Sequence, residues 1–255
     1  ANLGAEETDP RYALIQDLVE KFKDAKAFGS LLSVDNKHEV TLFDLKTTLI
    51  DLIVNGDSLQ KGSAEKLLPI VEQAWILSQR YDAVIANPPY MGGKGLNPLM
   101  KGFLKNNYWG FEKDLFSAFI IANLNLTAKN GHLGFMTPYV WMFLSSYEEL
   151  RNELIAKHII SSLIQLEYSG FDGATVPICT FTLTKNHLSN FVGSYIKLSN
   201  FRGSENQAPR VLEAIKNPKC GWFFNSKSDD FKVIAGSPIA FWASKKVFKI
   251  FKEEK

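Results

Sequence analysis

Cysteine is nearly missing: Cys179 and Cys220 are the only two in 255 residues. Two thiols cannot build a disulfide framework or a thiolate metal site, so a reducing, cytoplasmic setting without a metal is expected. Long apolar runs are missing too. The best stretch, Leu133 to Leu144, is short and contains Pro138, and the N-terminus has no basic-then-apolar signal, so no membrane partner is expected. Charge excess is also small. A net charge of +2 with a pI near 8.4 leaves no basic footprint that would announce nucleic acid unaided.

Hydrophobic content of 45% and charged content of 22% are ordinary globular usage, which excludes disorder and fibrous repeats. The length suits one large domain, or one with an appendage, around a sizeable core. The chain is rich in flat apolar side chains, with 19 Phe, 5 Trp and 8 Tyr. These fill cores by default and can also stack on bases.

Asp9 before Pro10 is a helix start, and Leu14, Ile15, Leu18, Val19 and Phe22 follow at helical spacing until Gly29. Residues 34 to 63 are mixed, with a short strand expected from Glu39 to Phe43 and a turn at Asn55-Gly56-Asp57. A helix from Ala64 to Gln79 precedes a buried strand, Ala83 to Ala86, which runs into Asn87-Pro88-Pro89-Tyr90. After a Gly-rich loop from Met91 to Leu96, a helix begins near Asp114, presents Leu115, Phe116, Phe119, Ile120 and Leu124, and is closed by Lys129-Asn130-Gly131. Strands are expected from His132 to Thr137, Ile159 to Leu166 and Pro177 to Leu183. Ser145-x-x-Glu148 or Ser146-x-x-Glu149 reads as a capping box for a helix through Lys157.

Alternating helices and strands predict an α/β, Rossmann-like sheet with crossover helices, and two strands with no helix between them predict an antiparallel edge strand. Three segments follow: residues 1–63, helical and irregular; 64–200, the core; 201–255, a C-terminal extension. Both ends read as cut, because the chain starts at Ala1 and stops within the amphipathic run Lys245 to Lys252. Ligands of such sheets sit beyond the carboxyl ends of strands, where Asn87 falls.

Two successive prolines hold a loop rigid at a strand end. An Asn side-chain oxygen and a nearby backbone carbonyl can accept both protons of an exocyclic amine, leaving electron density on nitrogen for attack on a methyl sulfonium. An aromatic at the fourth position can stack on the base. A rigid turn with a buried Tyr would use the same four residues, and the preceding Tyr81-Asp82-Ala83-Val84-Ile85-Ala86 strand weighs against so plain a reading.

Residues 81 to 185 resemble the adenine-N6 class of amino-methyltransferases. The likeness extends from the loop to Lys113–Phe119, which looks like the helix bordering the cofactor, to Gly131–Pro138, and to Phe171–Ile178, which looks like a base-contacting loop. The wording of Asn87–Gly93 and Gly236–Trp242 is most like the large methylases of BREX, or phage growth limitation, defence systems. The resemblance implies S-adenosylmethionine as cofactor, double-stranded DNA as partner, base flipping, and restriction-modification or defence-system subunits as company. It implies that Asn87 and the Pro88 carbonyl hold the amine, with Pro89 completing the loop, and that Tyr90 and Phe171 flank the base. Asp114 and Phe119 fall on the cofactor side, Phe119 being equally explained as core. The family's glycine turn is not found in residues 1–80, where Asn55-Gly56-Asp57-Ser58-Leu59 is better read as a surface turn. That turn is expected upstream of Ala1, and a DNA-reading domain downstream of Lys255. A protein glutamine methyltransferase and a non-catalytic nucleic-acid-binding fragment stay open as alternatives.

Overall fold

The computed structural model describes residues 9–168, 170 and 176–253. The chain divides into two compact units, Ala1–Arg80 and Tyr81–Lys255. The division falls after the fourth helix, later than the boundary at residue 63 expected from sequence.

The first unit is helical: α1 (Pro10–Lys21), α2 (Ala25–Phe28), α3 (Glu39–Asn55) and α4 (Ser58–Ser78). Asp9 caps α1 by accepting from Arg11 N at 2.8 Å. The strand expected from Glu39 to Phe43 is instead the first turn of α3. Its short alternation yields to the longer period of Leu42, Leu45 and Leu49, all buried, while Val40 and Phe43 face solvent. A capping box opens α4: Asp57 accepts from Leu59 N and Gln60 N, and Gln60 accepts from Asp57 N. The Asn55–Leu59 segment is therefore a helix-to-helix turn whose carboxylate is engaged.

The second unit is a six-stranded sheet in the order β1-β2-β4-β3-β5-β6. Its elements are β1 (Tyr81–Ala86), α5 (Pro98–Asn107), α6 (Leu115–Leu126), β2 (Thr127–Pro138), α7 (Glu148–Lys157), β3 (Ile159–Gln165), β4 (Ile178–Thr184), β5 (Val192–Lys197), α8 (Ser204–Lys216), β6 (Phe223–Lys227), α9 (Ser228–Phe231) and α10 (Lys245–Glu253). β1, β2, β3 and β5 run parallel, while β4 and β6 run against them. β6 is the antiparallel edge. The strand from which an edge was inferred, β4, lies inside the sheet: the α7 crossover passes over one strand position, and β4 returns antiparallel to fill it. Residues 201–255 thus contribute a strand to the sheet.

α6 is closed by Leu126, ahead of the stop expected at residues 129–131, and Asn130, with φ of 67°, lies within β2. No capping box starts α7. Ser145–Tyr147 wind into a 3-10 turn, and the cap position falls to Tyr147, which makes no side-chain cap bond. One face of the sheet is covered by α6 and α7, with Phe116, Ile120, Leu150 and Leu154 buried against Phe135, Leu163 and Phe181. On the other face Ala214 of α8 packs with Leu166, Ile178, Ile196 and Leu198. Burial of this scale, at about 25 cal/mol per Å² of apolar surface, holds the layers together. Among the described residues no helix is long and apolar enough to cross a membrane.

Candidate active site

β1 delivers Asn87 to the carboxyl edge of the sheet, and the prolines stop the strand there. Asn87 and Pro89 are exposed, Pro88 is buried, and Tyr90 is half-buried against both sheet-face clusters. The Tyr90 hydroxyl lies 2.9 Å from Asn87 Oδ1 and 3.2 Å from the Met136 carbonyl. A phenol has one proton, so it donates to one of these oxygens at a time. Asn87 Oδ1 has two lone pairs, which leaves one for an incoming N–H even while Tyr90 is bound. Burial raises the Tyr90 pKa, so the donor proton is present at neutral pH.

The loop after Tyr90 is clamped onto the start of α6. Asp114 Oδ1 accepts from Met91 N at 3.0 Å and from Phe116 N at 3.2 Å, Leu115 N donates to Met91 O, and Gly93 N donates to Lys113 O. Asp114 thus caps a helix and ties it to the Asn87 loop through one carboxylate. Burial raises its pKa, and the backbone N–H groups oppose that shift. Phe119, the other cofactor-side candidate, is half-buried between buried Ala118 and Ile120.

Phe171 lies outside the described residues. The structure brings Asn87, Pro88, Pro89 and Tyr90 together, with Asp114 holding their loop. Sequence reading missed the Met136 carbonyl, the second acceptor facing Tyr90. Met136 also forms one wall of an apolar cavity of about 500 Å³, where Met136, Thr180 and Ile164 stand in register across β2, β4 and β3 opposite Val211 of α8. A backbone acceptor and a cross-strand row leave no local signal in sequence.

Residues 13–171 match the family described as Eco57I restriction-modification methylase. The chain is 36% identical over 236 residues to the adenine-specific methyltransferase BrxX of Escherichia coli O9:H4 (strain HS), covering 91% of this chain and 19% of that protein. It is 30% identical over 248 residues to the adenine-specific methyltransferase PglX of Lacticaseibacillus casei (strain Zhang), covering 92% and 20%. The chain spans about a fifth of the length of these relatives. The type I restriction-modification methyltransferase subunit from Streptococcus thermophilus aligns with a TM-score of 0.46 and 18% identity, over 63% of this chain and 37% of that one. By the match to more than half of its length, this chain belongs to the Eco57I restriction-modification methylase family.

Proposed function

We propose that the protein containing this chain methylates adenine N6 in double-stranded DNA, in restriction-modification or phage defence, and that the Asn87 loop holds the amine. The observation that carries this reading is an exposed Asn side chain at the carboxyl end of a parallel strand, fixed by two prolines and a partly buried Tyr. The names of BrxX and PglX as adenine-specific methyltransferases support the same substrate. Asn87 Oδ1 accepts one N6–H and the Pro88 carbonyl the other, so nitrogen keeps its electron pair available, while the Tyr90 ring stacks on the extruded base.

A methylase family implies S-adenosylmethionine, which supplies an electrophilic methyl group. The described residues fit it poorly. Phe119 offers a half-buried ring, but Asp114, at the N-cap of the same helix, holds the backbone of Met91 and Phe116.

The test is Asn87→Ala in the full protein. Methyl incorporation into duplex DNA should fall by on the order of a hundredfold or more, the scale for one polar group at a reacting centre, with DNA affinity nearly unchanged. Near-normal methylation would remove this loop from the chemistry.

A further inference from the structure

The carboxyl edge of the sheet carries a second cluster of polar side chains. Thr137, Cys179, Gln165 and Lys197 are register partners across β2, β4, β3 and β5, so they share one face. The first two are satisfied: Trp141 Nε1 donates to Thr137 Oγ1 at 3.1 Å, and Cys179 Sγ lies 3.7 Å from the same oxygen. The other two are not. Gln165 is 5% exposed, and its Oε1 has no hydrogen-bond partner. Lys197 is half-buried, and its described partner is a ring, Trp242, whose centroid lies 3.8 Å from Nζ. Buried amides are nearly always hydrogen-bonded and half-buried cations are usually paired, so Gln165 Oε1 lacks a donor and Lys197 calls for an anion.

The surrounding framework is stiff. Arg151, 1% exposed, donates through Nε and Nη2 to the Gly236 carbonyl and through Nη1 to those of Trp141 and Leu144. Ile239 N donates to Met142 O, and Phe241 stacks on Tyr195 at 5.0 Å. These contacts fix residues 236–241 on the sheet and deliver Trp242 over Lys197, with Phe143 edge-on at 5.5 Å. The Gly236–Trp242 wording noted in the sequence therefore serves to wall this corner.

We infer that Lys197 and Gln165, walled by Trp242 and Phe143, form a subsite for one backbone phosphate of the DNA substrate; this rests on the reading of the protein as a DNA methylase. The phosphate oxygens accept from Lys197 Nζ and from the Gln165 amide nitrogen. From β1 to β5 is four strand spacings, about 19 Å. That is too far for a base held by Asn87. It suits a flanking phosphate, about five to six base pairs away along B-form DNA at 3.4 Å per step.

The experiment measures duplex affinity of the full protein against salt concentration, for wild type, Lys197→Ala, Lys197→Arg and Gln165→Met. Each phosphate contact adds about 0.9 to the slope of log affinity on log salt. Lys197→Ala should lose that increment, so that between 50 and 200 mM salt its affinity falls about threefold to fourfold less than that of wild type. Lys197→Arg should restore the slope. Gln165→Met should weaken binding without changing it. Single methylphosphonate replacements along the wild-type footprint give an independent readout that needs no variant to fold: one position should reproduce the lost increment. Unchanged affinity and slope in Lys197→Ala, or a footprint without such a position, overturns the subsite. Unchanged slope with methylation still abolished by Asn87→Ala would overturn the subsite alone, whereas a lost increment with methylation intact in Asn87→Ala would leave the subsite and remove the catalytic reading.

Discussion

Asn87 and Tyr90 are joined by one hydrogen bond, which separates two roles that a single aromatic side chain performs. The ring can stack, and the hydroxyl can hold the Asn87 amide in place. Tyr90→Phe keeps the ring, so capture of the extruded base should persist while single-turnover methylation slows about fivefold, the equivalent of about 1 kcal/mol for a neutral hydrogen bond. Tyr90→Ala should also weaken base capture, since stacking contributes roughly 1–3 kcal/mol per base. Duplex binding and single-turnover rates on the same oligonucleotide distinguish them. Equal losses of binding in both variants would show that the ring does not stack. The four residues of this loop were legible because a strand running into two prolines is a local pattern, although β1 is not the buried strand expected: Ala83 and Ile85 are exposed. Lys197, Gln165 and Trp242 were not, because only sheet register and a long strap bring positions 165, 197 and 242 together.

Elements were legible where burial and boundary signals agreed. β1, β3 and β4 are short runs bounded by Gly, Pro or polar turns and stand close to their expected limits, whereas β2 begins at Thr127, five residues before the expected His132. α5 was passed over although Asn97 caps it by accepting from Met100 N at 2.8 Å and Pro98 occupies its first turn. Its apolar residues Leu99, Met100, Phe103 and Leu104 do recur at helical spacing, but over only ten residues interrupted by Gly102. The junction of α6 with the Asn87 loop depends on Asp114 in a way that can be measured. Loss of an N-cap costs about 1 kcal/mol, and an unsatisfied backbone N–H at Met91 adds about 1–3 kcal/mol. Asp114→Ala should therefore lower stability by about 2 kcal/mol or more, while Asp114→Asn, which keeps an acceptor oxygen, should retain most of it. Denaturant midpoints of the two variants check this. A fully stable Asp114→Ala would mean that the carboxylate is free to serve a ligand instead.

Across the whole molecule the sheet is finished at one end and open at the other. At the β6 end, Phe224 packs on Phe241 and the antiparallel strand closes the row. At the β1 end, Ile85 is 87% exposed, its register partner on β2 is Gly134, which offers no side chain to cover it, and the outer edge of β1 pairs with no strand among the described residues. Strands of parallel sheets are ordinarily buried on both faces, and a bare apolar edge strand is a template for pairing with another chain. The 255 residues expressed by themselves should therefore self-associate at micromolar concentration. Ile85→Lys, a charge placed on the bare face of the open edge, should shift them toward monomer without lowering the melting temperature, because the wild-type side chain has little packing to lose. Size-exclusion chromatography with light scattering on both proteins decides the point. Equal association of wild type and Ile85→Lys would move the sticky surface away from β1, and a monomeric wild type would show that the edge is protected.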